Sequence, residues 1–105
     1  MSAFEDREKG FERKFASDQE MEFKAQSRAA RTLGEWAAHK MGLESVEDYV
    51  RAVVRAELGA GGEDDVVRKV IQDFSGAGIE VRESEVRSKM DEFLAVAREQ
   101  VKAGG

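Results

Sequence analysis

Residue types able to do chemistry are scarce in this chain. His39 is the one histidine and cysteine is absent, so nothing completes a zinc-type ligand set. The carboxylates match no calcium loop. Two glycine-rich stretches, "GAGGEDD" from Gly59 and "SGAGIEV" from Ser75, invite comparison with phosphate loops. Neither ends in Gly-Lys-Ser/Thr and both follow a helical pattern rather than a strand, so they read as helix stops. No serine has a base partner, and His39, beside Lys40 near a helix end, reads as a solvated surface residue. No enzyme, no metal and no cofactor is expected.

The N-terminus carries a different pattern. In "MSAFEDREKGFERKF" the large apolar side chains after Met1 are Phe4, Phe11 and Phe15, set among Glu5, Asp6, Arg7, Glu8, Lys9, Glu12, Arg13 and Lys14. At about 100° per residue the three rings fall within roughly 40° of one another on a helix. Three aromatic rings in so narrow a line form no core unless another surface covers them. The chemistry is that of recognition: apolar burial along one line, with both signs of charge beside it. Arg7, Lys9, Arg13 and Lys14 can meet acidic groups, and Glu5, Asp6, Glu8 and Glu12 basic ones, fixing register more than adding affinity.

The remainder of the chain must position this segment. At 105 residues it makes one domain. Hydrophobic residues at 41% suit a globular protein, and the net charge of −5 argues against nucleic acid, which calls for a basic stripe. No apolar run approaches 18 residues and no signal-peptide core is present, so a soluble, cytoplasmic chain without membrane insertion is expected. Proline is absent, apolar residues recur at helical spacing, and nothing alternates as a strand would. The first helix is expected from Ser17, where Ser17 and Glu20 have capping-box spacing. Met21, Phe23, Ala25, Ala29, Leu33, Trp36 and Ala37 form its buried face and Gly42 ends it. A second helix from Ser45 carries Val46, Tyr49, Val50, Val53, Val54 and Leu58. A flexible Gly59–Gly62 break follows. The third begins with Glu63, Asp64 and Asp65, whose charges suit a helix N-terminus; its stripe is Val66, Val67, Val70, Ile71 and Phe74. The fourth, from Glu83 to Lys102, buries Val86, Met90, Phe93, Leu94, Ala97 and Val101.

The spacing therefore predicts an all-α four-helix bundle over 17–105 with a mobile N-terminal segment over 1–16. Gly10 costs about 1 kcal/mol relative to alanine within a helix, and helices shorter than about 12–15 residues are marginal alone. The segment is expected to be mobile when free and helical when bound, the alternative being that it folds back over the bundle.

The stretch "FEDREKGFERKFASDQEMEFKAQSRAARTLGEWAAHKMGL", followed by "DDVVRKVIQDFSGAGI" and "EVRSKMDEFLAVAREQ", resembles the zeta-subunit family of bacterial F-type ATP synthases, over essentially the whole chain. The most specific pieces are "FEDRE", "KFASDQE", "LGEWAAHKMG", "RKVIQDF" and "RSKMDEF". The resemblance implies a small helical inhibitor of ATP hydrolysis by the F1 sector. It implies that the N-terminal segment enters the catalytic interface of the alpha and beta subunits near the rotating gamma subunit, with Phe4, Arg7, Glu8, Lys9, Phe11, Glu12, Arg13, Lys14 and Phe15 as contact residues. It further implies a chain that is monomeric when free and peripheral at the inner face of the membrane when bound. The chain departs from the family pattern at Gly10, where alanine is common, at Ala30, where asparagine is usual, and at Thr32 and Glu35, where leucines often sit. Arg82 occupies the place of a Ser/Thr cap. Two other readings stand beside this one: a bundle binding a small molecule or nucleotide near Trp36, Tyr49 and Arg51, and a helical adaptor or homodimer pairing its phenylalanine stripes.

Overall fold

The computed structural model describes the backbone of residues 3–104 and the side chains of residues 18–104. Four helices account for almost all of it: α1 (Ala3–Met41), α2 (Val46–Glu57), α3 (Glu63–Gly76) and α4 (Glu83–Lys102). The expected all-α four-helix architecture is present. The helices run alternately up and down. Tyr49 near the start of α2 bonds Asp73 near the end of α3. Lys40 at the end of α1 pairs with Glu85 at the start of α4, whereas Glu22 pairs with Arg98 near the end of α4.

Several of the local signals that bound the helices act as the sequence predicts. At the end of α1, Gly42 adopts φ +70°. Its N–H bonds the His39 carbonyl and the Leu43 N–H bonds the Ala38 carbonyl, a Schellman closure that a left-handed glycine permits. Gly78, at φ +74°, closes α3 in the same way, with Ile79 bonding back to Phe74. Ser45 caps α2 by accepting from the Asp48 N–H. The Gly59–Gly62 stretch is a hydrogen-bonded turn rather than a loose break: Gly59 bonds Ala56, Gly62 bonds Gly59, and Asp65 accepts from the Gly61 N–H. Arg82 stands at the N-cap of α4 with no side-chain bond to the helix, so α4 starts without the cap that a Ser or Thr would supply.

The start of α1 differs from expectation. The helix begins at Ala3, not Ser17, and Ser17 and Glu20 lie inside it. A capping pair acts only where the chain leaves the helix, and no proline between Ala3 and Met41 forces it to leave. The mobility expected of the segment over 1–16 falls on residues whose side chains lie outside the described residues.

The core is built around Phe74, Leu33 and Met90, with Val53, Val66, Val67, Val70 and Val86 fully enclosed beside them. Trp36 is half-buried and meets the Phe74 ring edge-on, at 5.6 Å and 70°, a favoured aromatic geometry. The face α1 gives to the core is mostly small: Ala25, Ala29, Ala30, Ala37 and Ala38. At Gly34 an added Cβ would lie 3.2 Å from the Val50 Cα, so the two backbones approach too closely for a larger residue. Ala30 and Ala38 join this buried face although the expected stripe omitted them. Phe23 and Leu58, both expected in the core, are instead 57% and 60% exposed. Phe23 shares the α2-facing side of α1 with Gly34, but lies eleven residues, about 16 Å, nearer the N-terminus. From Val50, beside Gly34, α2 continues only to Glu57, about 10 Å. It ends short of Phe23, and the same ending exposes Leu58. Phe93, Leu94 and Val101 pack half-buried at the core margin.

Candidate partner-binding site

A helix of 39 residues is about 58 Å long, whereas the 20 residues of α4 span about 30 Å. The last turn of α4 sits beside Asp18 and Met21, around a shallow groove that Ala95, Arg98, Glu99, Val101 and Lys102 complete. Residues 3–17 of α1 therefore continue past the end of α4. On this helical backbone positions 4, 11 and 15 fall within roughly 40° of one another, as the spacing predicts. The side chains of Phe4, Arg7, Glu8, Lys9, Phe11, Glu12, Arg13, Lys14 and Phe15 lie outside the described residues. Gly10 sits within the helical run, at a cost of about 1 kcal/mol relative to alanine.

A bidentate ion pair lies about one turn inside the point where α4 stops covering α1. Arg98 donates to the two oxygens of Glu22 at 2.6 and 3.1 Å. The Gln26 amide also donates to Glu22. The Arg98 hydrogen bond, aided by its charge and by Gln26, holds the Glu22 carboxyl below the usual carboxylate range. Its folded value lies below its unfolded one, so the pair's small stabilisation is present at neutral pH and fades as acid protonates Glu22. The pair is exposed and contributes at most about 1 kcal/mol; its greater effect is to fix where α4 lies along α1. Arg28 to Gln100 and Lys40 to Glu85 repeat this along the same seam.

Glu57, at the end of α2, shifts the opposite way. Its Oε2 atom is buried without a hydrogen-bond partner. Burial, followed by repulsion from Glu63, pushes its carboxyl above the ordinary value. A raised folded value means that the folded state holds this proton more tightly than the unfolded chain does. The destabilisation is therefore absent in acid and grows as pH rises through the folded value. Glu57→Gln is expected to raise the melting temperature at pH 7 and to leave it nearly unchanged near pH 4, measured by circular dichroism. An equal shift at both pH values would contradict this account.

Two of the three residues of the small-molecule reading are engaged within the bundle. Trp36 lies against Phe74, with the Lys40 ammonium 5.1 Å from its ring centre. The Tyr49 hydroxyl donates to Asp73 at 2.8 Å, and burial with that carboxylate pushes its ionisation upward. Lys69 pairs with the same Asp73 at 3.1 Å and lies over the Tyr49 ring. Arg51 pairs with Asp48 on the exposed side of α2. Trp36 and Tyr49 fasten α1 and α2 to the end of α3, while Arg51 points to solvent. His39 is exposed, as expected. Among the described residues no cluster of His, Cys, Asp or Glu is arranged to hold a metal ion, and no helix is long and apolar enough to cross a membrane.

The departures at 30 to 35 fit without disturbing α1. Ala30 is fully buried, Thr32 bonds back to the Arg28 carbonyl at 3.0 Å, and Glu35 is exposed. The Glu22–Arg98 pair was missed in the sequence. No local signal marked it, because its partners lie 76 residues apart on two different helices.

A search for curated relatives finds no match. A family model described as ATPase inhibitor subunit zeta matches residues 1–100.

Proposed function

Since the chain belongs to the ATPase inhibitor subunit zeta family, we propose that it blocks ATP hydrolysis by the F1 sector of ATP synthase through its N-terminal segment. Residues 1 to about 16 enter as a helix where the alpha and beta subunits meet the gamma subunit, and the bundle over 17–105 anchors them. One observation carries this reading: α1 runs on beyond the last turn of α4, and phenylalanines recur on one line of that extension. Among the described residues no element of the bundle runs alongside the line, so a partner's cleft is its natural cover. Burying three phenylalanines yields about 5–9 kcal/mol before costs. Ordering a segment removes roughly 2–5 kcal/mol, and association several more. The segment alone would bind weakly. A bundle docked nearby raises its effective concentration and strengthens binding by orders of magnitude.

On this reading the chain is a regulator rather than an enzyme and needs no cofactor. It is a monomer in the cytoplasm when free and lies at the inner face of the membrane when bound. The test is to add purified protein to the cognate F1 and follow ATP hydrolysis. Hydrolysis is expected to fall with concentration to a plateau; unchanged hydrolysis over a wide range would reject the proposal. Sedimentation distinguishes the adaptor or homodimer reading, which requires a free dimer.

A further inference from the structure

Residues four, seven and eleven apart recur on one side of a helix, so a continuous α1 carries its phase from one end to the other. Glu22 and Lys40 mark one edge of the side of α1 that α4 covers, as their pairs with Arg98 and Glu85 show, and Arg28, about 120° round the helix, bonds Gln100 at the other edge. Phe4 stands 18 residues before Glu22, about five full turns, and therefore on the same side of the helix. Positions 11 and 15 lie within roughly 20° of that direction. Ala29, Leu33 and Trp36, all in or against the core, occupy the same broad side further along. The positions of the phenylalanine line thus prolong the edge of the α4-covered side of α1 that borders the core, beyond the point where α4 ends.

We propose that α1 acts as a single shaft whose helical phase between Phe15 and Glu22 aims the phenylalanine line, so that the bound ATPase meets the bundle from its α4 side. The proposal rests on the inhibitory role argued above and adds an orientation to it. Phe15 precedes Asp18 by three residues, about 4.5 Å along the axis. Asp18 lies beside the last turn of α4, so a wall that covers position 15 abuts Arg98, Glu99 and Lys102. The end of α4 then forms a shoulder that limits how far the helix enters. A segment tethered by a flexible joint would have no such constraint, since its aim would be independent of the bundle.

Phase and length can be separated by insertion between Ala16 and Ser17, outside the part of α1 that α4 covers. Two inserted alanines turn the line by about 200° and advance it about 3 Å. Four turn it by only about 40° and advance it about 6 Å. Each full-length variant is added to F1 and its half-inhibitory concentration is read, with melting curves confirming that the bundle is unchanged. The two-residue insertion is expected to weaken inhibition by about tenfold or more, and the longer four-residue insertion by less than about threefold. Equal losses, or losses that simply grow with length, would overturn the shaft. Absence of inhibition by the unaltered chain would instead remove the inhibitory role itself. Protection of Glu99 to Lys102 from amide exchange on binding F1 is the second expected result, and unprotected amides there would reject the α4-side approach.

Discussion

Deletion of residues 2 to 15 is expected to abolish inhibition of F1 while leaving the melting transition of the bundle in place. The deletion spares Asp18 and Met21, where α4 ends beside α1, and every buried residue from Ala25 onward. It removes the whole phenylalanine line and the charges beside it. Hydrolysis assays give the first outcome and thermal denaturation the second. The triple change Phe4→Ala, Phe11→Ala and Phe15→Ala is the finer form, because it keeps every charge and slightly favours helix. If insertion depends on apolar burial, the triple variant is nearly as inactive as the deletion. If the charges dominate, it retains most of its inhibition and loses it with salt. Full inhibition by the deleted chain would place the blocking surface on the bundle and reverse the two roles.

Phe74→Ala is expected to lower the stability of the bundle by about 3–5 kcal/mol. Phe74 is 0% exposed and sits among Leu33, Met90 and five buried valines. It also supplies the ring on which Trp36 rests and, through its carbonyl, part of the closure of α3. Removing the ring leaves a cavity that helices already in close contact at Gly34 cannot readily fill. In a domain of this size the loss corresponds to a fall in melting temperature of about 12 °C or more. Phe93→Ala, at the margin of the core, is expected to cost less because its side chain is only half-buried. Equal effects would mean that the half-buried margin of the core carries as much packing as its centre. Inhibition by the Phe74 variant should weaken as its bundle melts, since the segment then loses its anchor.

The bounds of α2, α3 and α4 were legible because the signals that set them are local. Ser45 needs only the Asp48 N–H three residues on, and Gly42 and Gly78 close helices because a residue without Cβ tolerates a left-handed backbone. The phenylalanine line was equally legible, because its residues and their spacing lie within one segment. The start of α1 was not. The Ser17–Glu20 pair has the spacing of a cap, yet the same residues are compatible with a helix interior, and nothing local distinguishes the two. Tertiary structure also decided which apolar residues were covered. Phe23 belongs to an apolar face by periodicity, but its exposure depends on how far α2 reaches along α1. That reach is a relation between two helices that neither sequence segment contains. The direction of the phenylalanine line had the same dependence. Its spacing made it a line, whereas the proposal that it continues the α4 side of α1 rests on the Glu22–Arg98 and Lys40–Glu85 pairs, between residues more than forty positions apart.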